Sequence, residues 1–316
     1  MSNHRSLIAA TAALAISLTA CSSGGDEAGP SGDWTFKTSV GSTITLDHQP
    51  TKVITDTYSA AALWEYGIRP VGIFGFGADT GSAGNADLST MQNVGTDSEF
   101  SIEKAAALAP DIIVGYSGSD APNSWLWWDE AVSKKAADGV APFLGIDFGT
   151  GVKETIQNYE NLAEALGADI DAPAVKQARD DFNTAIERVR TTVAAKPGVK
   201  VLPLNVDGDD LYTGARGLAI IDLLSSAGVT IVGSAPADEY WGELSPENLP
   251  TINADLVMNF PNTQDRLQGL QVYTNLAAVK ANQTMEWEDK RPNTWANYAA
   301  WLNDFADHYE KAQIVS

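Results

Sequence analysis

The sequence predicts an α/β fold of two Rossmann-like lobes joined by a single long helix, with a cleft between the lobes. Three observations carry this. Strands alternate with helices in each half of the chain, which is the grammar of parallel α/β sheets. A helix-to-strand segment of the first half returns in the second without a gap. An uninterrupted helical pattern separates the halves.

Taken in order, 34–39 and 42–46 alternate about Val40-Gly41 and predict a β-hairpin. Lys52-Val-Ile-Thr-Asp56 reads as a strand, 60–66 as a helix ended by Gly67, and 70–74 as a strand. A glycine-rich loop, a helix from Ser101 and a strand over 111–116 follow. The second half repeats the order: a strand over 199–204, a helix over 218–227 ended by Gly228, a strand over 229–233, a helix from Ser245 and a strand over 255–260. Aligned without a gap, Ser101 falls on Ser245, Glu103 on Glu247, Asp111 on Asp255 and Tyr116 on Phe260. Between the halves Val175, Ala178, Phe182, Ala185, Ile186, Val189 and Val193 keep helical spacing, from Pro173 to Pro197-Gly198. At ~21 residues this is ~32 Å of rod, long enough to span two lobes side by side. A surface helix of one lobe satisfies the same periodicity.

The amino terminus predicts the compartment. Residues 1–20 have a short basic start and an apolar run shorter than the ~20 residues a membrane span needs, which is the shape of a secretory signal. The run ends in Leu18-Thr19-Ala20-Cys21, which matches the bacterial lipobox, so Cys21 is the expected lipidation site. A polar tether over 21–33 follows. The expected domains are then 34–172, an interlobe helix over 173–196, and 197–316. No second hydrophobic span is read, so the chain is expected outside the cell, lipid-anchored to the outer face of the cytoplasmic membrane.

Composition narrows the function classes. With 20 Lys and Arg against 41 Asp and Glu, the surface repels phosphate backbones, and no nucleic-acid partner is expected. Cys21 is the only cysteine, so an internal disulfide and a Cys-based metal site are excluded. His4, His48 and His308 form no cluster in sequence, and no direct metal site or bound cofactor is expected. Neither a dinucleotide fingerprint nor a phosphate loop nor a serine nucleophile elbow is present, so no catalytic residue is assigned.

At this point the residues resemble a family. The lipobox, the hairpin, Trp64-Glu-Tyr-Gly-Ile-Arg-Pro-Val-Gly72, Val94-Gly95, Ser101-Ile-Glu, Leu108-Ala-Pro-Asp-Ile-Ile113, Ser245-Pro-Glu and Asn275-Leu-Ala-Ala-Val-Lys280 are similar, in that order, to the helical-backbone (class III) substrate-binding proteins of ABC transporters. The resemblance covers roughly residues 34 to 310. It implies two lobes with small hinge motion, a cargo such as a ferric siderophore, haem or cobalamin, an ABC permease as partner, a monomer, and no enzymatic activity. It also implies that Glu103 and Glu247, one per lobe, dock on permease arginines. A first-turn carboxylate favoured by the helix dipole explains both residues locally as well.

In open α/β sheets ligands sit outside the carboxyl ends of the strands. The loops there carry Tyr58, Phe76, Tyr116, Trp125, Trp127, Trp128, Tyr212, Tyr240, Trp241 and Phe260, which suit a bulky, partly apolar guest. Arg216 and Arg266 are the cations of these loops and could grip chelate oxygens, or pair with nearby carboxylates. With no histidine cluster to hold bare metal, the ligand expected is a ferric chelate. A two-lobed α/β enzyme and a glycan-binding lipoprotein remain the rival classes.

Overall fold

The computed structural model describes residues 33–315 except 209, 237 and 238. The leader and Cys21 lie outside the described residues. The hairpin forms from β1 (Trp34–Lys37) and β2 (Thr43–Leu46), with Gly41 at φ +89° supplying the turn.

The first lobe begins with β3 (Val53–Asp56), buried throughout, which feeds α1 (Thr57–Trp64) through Asp56 as N-cap. Next come β4 (Gly72–Phe74), a small ribbon of β5 (Ser82–Ala83) and β6 (Ala86–Asp87), and β7 (Gln92–Asn93). The lobe closes with α2 (Ile102–Ala107), β8 (Ile112–Ser117), α3 (Glu130–Gly139), β9 (Phe143–Asp147) and α4 (Val152–Ala165). The five strands run parallel in the order β7-β4-β3-β8-β9. Helices cover both faces, which is why β3 and β8 are buried at every residue rather than at alternate ones.

The linking helix α5 (Pro173–Ala195) has 23 residues, ~35 Å of rod. Its buried stripe is Phe182, Ala185, Ile186, Val189 and Val193. This stripe joins one core with Val152 and Ile156 of the first lobe and with the helices of the second.

The second lobe contains β10 (Lys200–Asp207), β11 (Asp210–Gly214), α6 (Ala219–Ser226), β12 (Thr230–Ile231) and β13 (Trp241–Leu244). After a 3-10 turn, Pro246–Thr251, it continues with β14 (Leu256–Asn259), α7 (Gln264–Gly269), α8 (Gln271–Thr274), α9 (Ala277–Lys280), β15 (Thr284–Glu286) and α10 (Trp295–Lys311). Its sheet runs β13-β11-β10-β14-β15, with β12 also paired to β10.

This sheet is mixed where the sequence predicts a parallel one. The stretch carrying Tyr212, read as a strand-end loop, belongs to an antiparallel hairpin in which Asn205 faces Tyr212 and Asp207 faces Asp210. Its turn contains Gly208 at φ +60°, a conformation glycine adopts without penalty. The segment after Ser245 is also not the expected α-helix. Prolines at 246 and 250 limit the backbone N–H groups it can donate, and it winds as a 3-10 turn with no side-chain cap from Ser245.

The internal repeat has a physical counterpart. The Asp111 N–H donates to the Lys52 carbonyl (2.8 Å), and the Asp111 carboxylate accepts from the Lys52 N–H (2.9 Å). In the second lobe the Asp255 N–H donates to the Lys200 carbonyl (2.8 Å), and its carboxylate accepts from the Lys200 N–H (3.0 Å). The central registers agree as well, with Val53 facing Ile112 and Val201 facing Leu256. Each aspartate therefore latches the starts of the two central strands of its sheet.

Candidate ligand-binding cleft

The carboxyl ends of β8 and β9 face the start of α6, the start of β13 and the segment 287–294 that leaves β15. Between them lies a cleft of about 490 Å³. Its first-lobe wall is Ser117 to Asp120, Leu126, Trp127, Asp147, Phe148 and Gly149. Leu218, Tyr240, Trp241, Asp289 and Lys290 form the opposite wall. A small extension of about 20 Å³ runs deeper, past Tyr116, Phe148, Leu218, Tyr240, Asp289, Asn293 and Tyr298.

The first-lobe wall is set by one buried carboxylate. Asp56 accepts from the backbone N–H groups of Ser59 (2.7 Å) and Tyr116 (2.9 Å) and from the indole N–H of Trp125 (2.8 Å). Full burial raises its pKa above the ordinary aspartate value, and those donors partly offset the rise. Trp125 is thereby fixed 1% exposed, and Trp128 is 8% exposed. The Trp128 N–H bonds back to the Trp125 carbonyl (3.0 Å), closing one turn that carries both rings inward. Trp128 stacks on Phe74 at 4.9 Å and lies 4.6 Å from Phe100. Trp127 is left facing the cleft, with its ring centroid 4.9 Å from Trp125, 5.4 Å from Phe76 and 5.9 Å from Phe148. The Lys290 ammonium sits 5.2 Å from the Trp127 ring centre, within cation–π range.

The second-lobe wall is more open. Tyr240 is 47% exposed. Trp241 packs on Phe260 and Trp287, at 5.9 and 5.6 Å between centroids.

The sequence-selected residues thus divide. Trp127, Tyr240 and Trp241 line the cleft, and Tyr116 lines its deeper extension. Tyr58, Phe76, Trp125, Trp128 and Phe260 stand behind these as supporting rings. Tyr212 faces Asn205 and Glu243 across the hairpin sheet. Arg216 is spent on Asp222 at 2.6 Å and borders a separate depression with Gly214, Thr230 and Gly233. Arg266 donates to the Gly208 carbonyl. Glu103 and Glu247 are both exposed in first turns, away from the cleft lining. Not anticipated from the sequence were Asp147, Phe148, Asp289 and Lys290. The carboxyl end of β9 is a strand-end position like the others, and its Asp147-Phe148-Gly149 was the available signal.

The two lobes also meet through residues 292–295. Asn293 donates to the Tyr116 hydroxyl, the Thr294 hydroxyl donates to Glu65 (2.7 Å), and the Trp295 indole donates to Glu160 (2.6 Å). Glu160, buried on α4, also pairs with Arg179 of α5. One carboxylate therefore ties the first lobe to both long helices.

A larger hollow of about 790 Å³ lies at the amino ends of the first-lobe strands, around Asp47, His48, Thr51, Gly67 and Arg69. It is built from the first lobe alone and has no Phe, Tyr or Trp in its lining, and this edge is opposite to where open α/β sheets bind ligands. The interlobe cleft is the candidate site. Among the described residues no group of three or more His, Cys, Asp or Glu is placed to hold a bare metal ion, and no helix is long and apolar enough to cross a membrane.

The described residues thus form two α/β lobes spanned by one long helix, with a partly aromatic cleft between them. The sequence profile of the periplasmic binding proteins matches residues 71–290, and the chain belongs to that family. Among solved structures, the ferric-siderophore receptor DesE from Streptomyces coelicolor is 25% identical, with a TM-score of 0.80 over 90% of this chain and all of that one. A siderophore periplasmic binding protein from the fuscachelin gene cluster of Thermobifida fusca is 18% identical, with a TM-score of 0.65 over 83% and 97% of the two chains. The petrobactin-binding protein YclQ from Bacillus subtilis is 17% identical, with a TM-score of 0.67 over 88% and 99%. The last two share the fold. No curated protein matches the chain in sequence.

Proposed function

We propose that this protein captures a ferric siderophore outside the cytoplasmic membrane and hands it to an ABC permease. The observation that carries the reading is the 490 Å³ interlobe cleft walled by Trp127, Phe148, Tyr240 and Trp241, on a fold that nearly superposes on a ferric-siderophore receptor. Aromatic rings suit the faces of a bulky chelate, and iron would arrive already wrapped in its own oxygen ligands. In this reading Tyr116, Trp127, Tyr240 and Trp241 face the ligand, with Phe148 beside them. Tyr58, Phe76, Trp125, Trp128 and Phe260 hold them in place. Cys21 carries the lipid and fixes the protein to the membrane, and Glu103 and Glu247 serve as docking carboxylates. The protein acts as a monomer and without catalysis.

Tryptophan emission of the chain starting after Cys21 tests this. Iron-loaded hydroxamate or catecholate chelators should quench it at stoichiometric concentration, and the iron-free chelators much less. Quenching by haem or cobalamin alone would keep the family and overturn the siderophore cargo. Replacing Glu103 and Glu247 together by Ala should leave ligand affinity intact and weaken uptake; normal uptake by that double variant would reduce both residues to helix-terminus partners.

A further inference from the structure

The lining of the cleft holds three carboxylates, Asp120, Asp147 and Asp289, and one cation, Lys290. Other cations near the strand ends are committed elsewhere. Arg216 pairs with Asp222, and Arg266 donates to the Gly208 carbonyl. The Arg291 guanidinium donates to Asn297 (2.8 Å) and lies 5.0 Å from the centre of the Trp301 ring. Lys290 is half-buried and differs from all three. Its charge acts on the adjacent Asp289 carboxylate, yet among the described residues its ammonium enters no ion pair and no hydrogen bond. Its contact is with the Trp127 ring, 5.2 Å from the ring centre. That contact crosses the cleft. Trp127 belongs to the loop between β8 and α3 of the first lobe, and Lys290 to the segment that leaves β15 of the second.

A cation over a ring keeps N–H groups for other acceptors, and an ammonium has three. Lys290 therefore brings unspent donors into the cleft, beside the ring that faces it. The acceptors that match them best are oxygens carrying negative charge, and the iron-bound oxygens of a hydroxamate or catecholate chelate are of that kind. The magnitudes favour this use. A cation over an exposed ring is worth about two- to fivefold in an equilibrium constant, and a hydrogen bond between charged partners about ten- to a hundredfold. We propose that the Lys290 ammonium donates to the iron-bound oxygens of the cargo while the chelate lies against Trp127. This rests on the ferric-chelate reading above and adds to it the donor that recognises the chelate, a task the sequence offered to Arg216 and Arg266.

The probes are the iron(III) complexes of desferrioxamine B, a trihydroxamate, and enterobactin, a tricatecholate, titrated at neutral pH; the one the wild type binds more tightly is carried forward. Lys290→Met keeps the length of the stem and removes the charge and its donors. It should bind that complex about tenfold or more weakly and melt with the wild type, whereas Lys290→Arg should recover to within about threefold. A second background separates contact with the ligand from support of the ring. In Trp127→Ala the same Lys290→Met change should still cost about tenfold, because the ammonium meets the chelate directly. Disappearance of the cost in that background overturns the proposal and leaves Lys290 as a cover for Trp127. Lys290→Met binding within about twofold of the wild type overturns it too, with the siderophore reading intact. A Lys290→Arg variant as weak as Lys290→Met counts against it equally, since charge and donors are then both restored without effect. Failure of the wild type to bind either iron complex overturns the functional reading and this assignment with it.

Discussion

The two lobes are alike at the amino ends of their strands and unlike at the carboxyl ends. At the amino ends the Lys52–Asp111 and Lys200–Asp255 latches repeat bond for bond. At the carboxyl ends the first lobe buries a carboxylate under a packed aromatic cluster, while the second holds an exposed Tyr240 over a mixed sheet. What is duplicated is what any such sheet needs to align its central strands. What differs is the edge where ligands bind. The first lobe therefore supplies a rigid wall and the second an adaptable one.

That contrast can be broken experimentally. The largest effect should come from Asp56→Ala, which leaves the Ser59 and Tyr116 N–H groups and the Trp125 indole N–H without an acceptor. A loss of about 4 kcal/mol of stability is expected, since each buried orphan costs about 1–3 kcal/mol. Denaturant unfolding followed by tryptophan emission measures it, and a loss below about 1 kcal/mol would show that the wall does not depend on this carboxylate.

Next in size is the pair Trp128→Ala and Trp127→Ala. Trp128 is core, so its truncation should cost about 3–4 kcal/mol of stability. Trp127 faces the cleft, and its truncation should cost less than about 1 kcal/mol of stability but about tenfold in chelate affinity. Equal stability costs for the two would erase the division between supporting and ligand-facing rings.

A smaller effect concerns pH. Burial raises the Asp289 pKa above the ordinary aspartate value, with Lys290 opposing the rise. The folded chain thus holds this proton more tightly than the unfolded chain does. Its contribution to stability is complete below the ordinary aspartate pKa and is lost as pH rises through the raised folded value. Asp289→Asn cannot ionise, so it should melt with the wild type near pH 3 and above it at about pH 7. A variant less stable than the wild type at neutral pH would mean that Asp289 is paired in the folded state.

The smallest effect is expected for Arg216→Ala. Its guanidinium is half exposed and held by Asp222, and exposed ion pairs of this kind contribute little. Chelate affinity should stay within about twofold of wild type. A tenfold loss would bring Arg216 back to the ligand and require the Asp222 pair to open.

The architecture was legible in the sequence because its signals are local. Gly67 and Gly228 at positive φ end the first helix of each lobe, and the apolar stripe of α5 runs from Phe182 to Val193 as the spacing predicts. The mixed second sheet was less legible, although the Asp207-Gly208 step flanked by strand residues is a hairpin signal. The cleft was legible only as a set of loops. A run such as Trp125 to Trp128 has no period that tells which ring turns outward; that is decided by Asp56, 69 residues away from Trp125 in sequence. The crossing of residues 292–295 onto Tyr116, Glu65 and Glu160 was not legible at all, because it depends on contacts 135 to 229 residues apart.

That crossing gives the molecule an axle. Through Glu160, Arg179 and Trp295, together with Thr294 on Glu65, the lobes are fastened at one edge by both long helices, so sliding of one lobe over the other would break several bonds at once. A rotation about the fastened edge would displace each point in proportion to its distance from that edge. Tyr116, bonded to Asn293 at the fastening, would travel little, whereas Leu126, which lines only the mouth, would travel farther. Such a motion would alter the width of the mouth more than the depth of the throat, with Tyr240 common to both.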